Sequence, residues 1–116
     1  MTQKLKNKFK RPKSEDPTGG KTTGAGIDIK WQNGTRGVGE DRKPLNGAEV
    51  EGVIKAAIDR LEFFQQSRSW CAENSYAIYY LSRAKRELRN RTKSRQKLGI
   101  EGKMVPNPAL FGAANG

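Results

Sequence analysis

Residues 46–66 read Asn46-Gly47-Ala48-Glu49-Val50-Glu51-Gly52-Val53-Ile54-Lys55-Ala56-Ala57-Ile58-Asp59-Arg60-Leu61-Glu62-Phe63-Phe64-Gln65-Gln66. Val50, Val53, Ile54, Ala57, Ile58, Leu61 and Phe64 recur at spacings of three and four, which places them on one stripe of an α-helix. Asn46 and Glu49 form a capping-box variant, in which the Asn side chain accepts from the third backbone amide and the Glu reaches back to the cap. The helix is therefore expected to begin at Asn46. Ser67-Arg68-Ser69 interrupts the stripe, and a second follows in Ala77, Ile78, Leu81, Ala84 and Leu88. Its helix is expected from about Trp70 to Arg95, before Gly99 ends it. Two helices of about 20 residues, each roughly 30 Å long, with a short loop between them make an antiparallel hairpin. One hairpin cannot cover both stripes, so assembly with further copies of the chain is expected.

Upstream of the helices, Ile27-Asp28-Ile29-Lys30-Trp31 alternates with period two and is followed by Asn33-Gly34, a tight-turn dipeptide, so a short strand is expected there. No partner strand is evident. Residues 1–13 hold Lys4, Lys6, Lys8, Lys10, Arg11 and Lys13 and no acid, and residues 14–26 hold four glycines and a proline. The expected organisation is a disordered basic arm and Gly-rich linker over 1–23, an extended segment with the short strand over 24–45, the hairpin over 46–96 and a flexible Pro/Asn/Gly tail over 97–116. The fold class read from this pattern is mostly α: an antiparallel two-helix hairpin with a short N-terminal strand or extended segment, assembled as a homo-oligomer.

The chain has 116 residues, a formal net charge of +11 and a hydrophobic fraction of 34%. That supports one small domain whose core is marginal in a monomer. The charge is polarised: Arg83, Lys85, Arg86, Arg89, Arg91, Lys93, Arg95 and Lys97 are relieved only by Glu87. Such a pole attracts polyanions, and nonspecific contact of the basic arm with nucleic acid is expected. The absence of histidine and the single Cys71 remove zinc fingers, disulfide scaffolds and His-dependent catalysis. Neither a spanning segment nor a secretory leader is read, so the expected location is the cytoplasm, without membrane contact.

Gly19-Gly20-Lys21-Thr22 has the end of a phosphate-binding loop, but Glu15 stands where that pattern needs its first glycine. Cys71 near a helix start has no histidine to act as base and reads as a small buried thiol. Asp59 and Glu62 lie beside Lys55 and Arg60 and read as surface pairs. No catalytic residue, metal ligand or cofactor is expected, and the protein is read as a binder rather than an enzyme.

The second stripe is interrupted by polar groups. At 100° per residue, Asn74, Lys85, Thr92 and Arg95 lie within about 40° of Leu81. Two readings remain: Asn74 is satisfied at the loop while the helix end frays into water, or Asn74 or the Arg91-Thr92-Arg95 group meets symmetry mates to line a polar, positive pocket. Arginine forks, a hydroxyl and an amide suit phosphates and base edges. Trp31, Tyr76, Tyr79 and Tyr80 offer planes for base stacking or for packing.

Glu73-Asn74, Ala77-Ile78, Leu81, Ala84, Leu88 and Arg91-Thr92, followed by Gly99-Ile100-Glu101-Gly102, resemble the helical-hairpin domain of small phage proteins shared by the anti-CBASS and anti-Thoeris nucleotide sponges. Gly47-Ala48, Val50-Glu51, Val53-Ile54 and Arg60-Leu61-Glu62-Phe63, with residues 26–34, resemble phage members that carry this hairpin. The resemblance implies a non-enzymatic anti-defence protein of the host cytoplasm that binds cyclic oligonucleotide or cyclic ADP-ribose signals between subunits. It implies that Arg91 and Arg95 hold phosphates, that Thr92 and Asn74 hydrogen-bond phosphate or base, and that Lys85 and Arg89 add positive field. The other reading is a phage structural or nucleic-acid-associated protein, located in the virion.

Overall fold

In the computed structural model, the described residues are 4–10, 18–37 and 39–98. Their order is β1 (Lys6–Phe9), β2 (Gly20–Gly24), β3 (Ile27–Trp31), a 3-10 turn (Gly39–Asp41), α1 (Val50–Gln65) and α2 (Ala72–Lys97). They fall into two compact units, one reaching Ala48 and including the chain from Ser94, the other Glu49–Lys93.

The three strands form one antiparallel sheet in the order β1-β2-β3. This overturns the mostly α, two-helix reading: the chain is α+β, and two strands lie where a basic arm and a glycine linker were expected. Of those expected segments, residues 1–3 and 11–17 lie outside the described residues, as does the tail over 99–116. The strand expected at Ile27–Trp31 is β3, and its partner is β2, with Thr22 opposite Ile29. Ala25 and Gly26 join the two with φ of 51° and 78°, the double positive φ that a tight two-residue hairpin turn requires.

Apolar packing contributes little to the order of this sheet. Thr22 is 5% exposed; its Oγ1 accepts from Trp31 Nε1 at 2.8 Å and donates to Asn7 Oδ1 at 2.7 Å, so one hydroxyl ties all three strands together. At the free edge of β3, Trp31 forms a parallel bridge with Ala48, in which Ala48 N donates to Lys30 O at 2.7 Å and Gln32 N to Ala48 O at 2.9 Å. Asn46 reinforces it, accepting from Asn33 N at 2.8 Å and donating to Asn33 O at 2.7 Å. Because Ala48 is held extended, the helix starts after it: Glu49 is the cap residue and makes no side-chain cap bond. The capping box expected at Asn46 is thus replaced by a clasp on the β3 edge.

In the second unit, Ile58, 5% exposed, is the buried hydrophobic residue among those described. Phe63, Trp70, Tyr76, Tyr79 and Tyr80 are exposed, and Arg60 lies over the Phe63 and Phe64 rings at 5.2 and 4.9 Å.

Candidate anion-binding cleft

The turn between the helices is fixed by one side chain. Gln65 Nε2 donates to Cys71 O at 2.9 Å and to Ser75 Oγ at 2.8 Å, while its Oε1 accepts from Cys71 N and Asn74 Nδ2, both at 3.0 Å. Sequence reasoning passed over Gln65; the signal was a polar residue at the point where the apolar stripe ends. Replacing Gln65 with alanine removes four hydrogen bonds, two of them to the half-buried Cys71 backbone. Water recovers part of the loss. At about 0.5–1.5 kcal/mol each, a net loss of about 2 kcal/mol is expected in urea titration, against no measurable change for the exposed Gln66→Ala.

With the turn set, positions spaced by three and four on each helix confront one another. Lys55, Ile58 and Glu62 of α1 and Ser82, Lys85, Arg86 and Arg89 of α2 line an open cleft of about 260 Å³. Its walls carry four cations, one carboxylate and one hydroxyl. Lys55 Nζ lies 2.5 Å from Asp59 Oδ1. The hydrogen bond to Asp59, then its charge, holds the Lys55 ammonium above the usual lysine value. A raised lysine contributes below its ordinary range and loses that contribution as pH rises through the higher value, so the pair is intact at neutral pH. Both side chains are more than half exposed, and such a pair adds little to stability. The arginines can offer planar donor forks that match phosphate oxygens, and Ser82 can donate a further bond.

The structure brings Lys85 and Arg89 together in this cleft and adds Lys55, Ser82 and Arg86 to them. Asn74 sits at the turn, donating to Gln65 and, at 3.3 Å, to Ser69 O. Arg91 is exposed and Thr92 half-buried, and neither lines the cleft. Arg95 is 2% exposed, so its guanidinium is not offered to solvent, and it is engaged with neighbouring groups. Cys71 is a free, half-buried thiol. Among the described residues no group of three or more metal-ligating side chains occurs, and no helix is long and apolar enough to cross a membrane.

The cleft of this small basic α+β chain is lined by groups whose chemistry suits an anion. Over 57 residues, 49% of its length, it is 42% identical to Thoeris anti-defense 1 of Bacillus phage SBSphiJ7. The chain is thus similar, over about half its length, to a phage anti-defence protein. The matched segment spans 40% of that relative's length. No known family profile matches the chain.

Proposed function

We propose that the protein is a phage anti-defence factor that binds an anionic cyclic nucleotide immune signal in the host cytoplasm and withholds it from its effector without cleaving it. The observation that carries this reading is the cleft lined by Lys55, Ser82, Lys85, Arg86 and Arg89, with Glu62 as its one carboxylate. The matched relative is named for defeating Thoeris defence, which supports the same direction. Cyclic oligonucleotides and cyclic ADP-ribose type signals both present phosphates to such donors. A cleft of about 260 Å³ is smaller than a site that encloses a whole ligand, typically about 300–1,000 Å³. The exposed Tyr76, Tyr79, Tyr80, Phe63 and Trp70 are suited to pack against a second copy, and a homo-oligomer would enclose what one chain leaves open.

Withholding a signal from an effector demands a dissociation constant near nanomolar, about 12 kcal/mol. Titration calorimetry of the full chain with cyclic di- and trinucleotides and cyclic ADP-ribose tests the proposal. Saturable binding of one of them at this strength, with much weaker binding of its linear counterpart, is expected. Equal binding of linear and cyclic forms, or of none, refutes it.

A further inference from the structure

The outer edge of β1 is open. β2 lies on one side of it, and among the described residues no backbone group pairs with it on the other. The opposite edge of the sheet differs, because β3 is bridged there to Ala48. Lys10 N donates to Gly19 O at 3.2 Å. In an antiparallel pair, residues whose backbone groups face the partner strand alternate with residues whose groups face away. Lys6 and Lys8 have the parity of Lys10 and turn to β2, so Asn7 and Phe9 turn their N–H and C=O groups outward. An edge with such free donors and acceptors is a template for one more strand.

The two faces beside this edge differ in chemistry. Lys6 and Lys8 lie on one, and behind Lys8 stand Lys21 and Lys30, directly opposed across the sheet. Directly opposed residues share a face, and with strands about 4.8 Å apart the positions of Lys8, Lys21 and Lys30 span about 10 Å. All four lysines are exposed, and no carboxylate pairs with any of them among the described residues. Asp28, on the same face, is two strands from the edge. Phe9 has the other parity, on the face where Asn7 bonds Thr22, and is 61% exposed. Lysines at an edge guard a sheet against pairing with its like. A second β1 laid antiparallel on the first sets lysine opposite lysine, which weakens the pairing. For a strand with carboxylates at alternate positions the sign inverts: the acids face Lys6 and Lys8, and the residues between them meet Phe9. A phosphate backbone would answer the lysines, but neither the outward amides nor the phenyl ring.

We propose that β1 accepts an extended segment of a partner protein, alternating acidic with apolar residues, as a fourth strand of the sheet. Main-chain bonds to Asn7 and Phe9 hold it, and Lys6 and Lys8 select its charge. The site shares no residue with the helical cleft and does not depend on what the cleft binds.

The test is fluorescence anisotropy of the full chain with a labelled peptide of alternating glutamate and valine. Saturable binding is expected, about tenfold tighter than to a peptide of the same composition with its glutamates and valines in separate blocks. Methylating the amide nitrogens of the glutamates and those of the valines should give opposite results. One set abolishes binding and the other is tolerated, because a strand turns only alternate amides to its neighbour. Lys6→Glu combined with Lys8→Glu should weaken binding about tenfold or more, each opposed pair changing from attraction to repulsion. Arginine at both positions should preserve it. Absence of binding by the parent would overturn the proposal. Equal affinity for the block peptide, or for the two methylated peptides, would do so as well, by showing attraction of charge alone. Sedimentation in which Phe9→Asp turns a parent dimer into a monomer would give the edge to a second copy and equally overturn it. None of these outcomes bears on the cleft.

Discussion

Gly47→Ala is expected to be strongly destabilising. A β-carbon on Gly47 would lie 2.5 Å from both the carbonyl carbon and oxygen of Trp31 and 2.8 Å from Gln32 N. All three are backbone atoms, so no rotamer change relieves the contact, and the segment carrying Gly47 must move off the edge of β3. That movement stretches the two bridge bonds of Ala48 and the Asn46 clasp. Overpacking of about 1–3 kcal/mol and two hydrogen bonds of about 1 kcal/mol each give a loss of about 3–5 kcal/mol. A fall in melting temperature of roughly 12 °C or more should follow for a domain of this size. Gly52→Ala is the control. Its β-carbon would meet nothing within 4 Å, it lies inside α1, and alanine there should stabilise by up to about 1 kcal/mol. If Gly47→Ala melted with the parent, the bridge between Trp31 and Ala48 would not be part of the fold.

The second large effect concerns ligand. Arg86→Ala combined with Arg89→Ala should weaken binding of the cyclic nucleotide by about 3–6 kcal/mol, at about 1.5–3 kcal/mol for each charged hydrogen bond, a loss of more than a hundredfold. Without ligand the double variant should melt at or above the parent, because two of the four cations that line the cleft are gone. Arg91→Ala removes the same charge from an exposed position outside the cleft and should cost less than tenfold. A structural role for Arg86 and Arg89 would give the reverse pattern, with lower melting and unchanged affinity.

What the sequence discloses differs between the two units for a physical reason. The stripe from Val50 to Phe64 repeats at the helical period, and α1 occupies it. Its start is displaced because Asn46 binds Asn33 across thirteen residues, a use of the side chain that no local pattern announces. β1 and β2 read Lys-Asn-Lys-Phe and Gly-Lys-Thr-Thr-Gly. Neither alternates apolar with polar residues, because the sheet is held by backbone register and the Thr22 hydroxyl rather than by an apolar face. Lysines and glycines that suggest an unfolded arm are equally compatible with a strand whose neighbours supply its order. Net charge marks a basic protein, yet only the register puts Lys8, Lys21 and Lys30 in one line. On α2, the angular position of Lys85 near the packing face pointed to the cleft it lines, whereas Arg95, on the same stripe, is buried and belongs to the other compact unit.

Withholding without cleavage is tested by recovering the ligand. The full chain is loaded with the cyclic nucleotide that calorimetry selects, freed of unbound ligand by gel filtration, heated to unfold the protein and analysed by chromatography. The expected result is that the nucleotide travels with the protein and is released on unfolding in its intact cyclic form, in a fixed ratio to the chain. Release of a linear product, or passage of the protein through the column without nucleotide, would contradict sequestration.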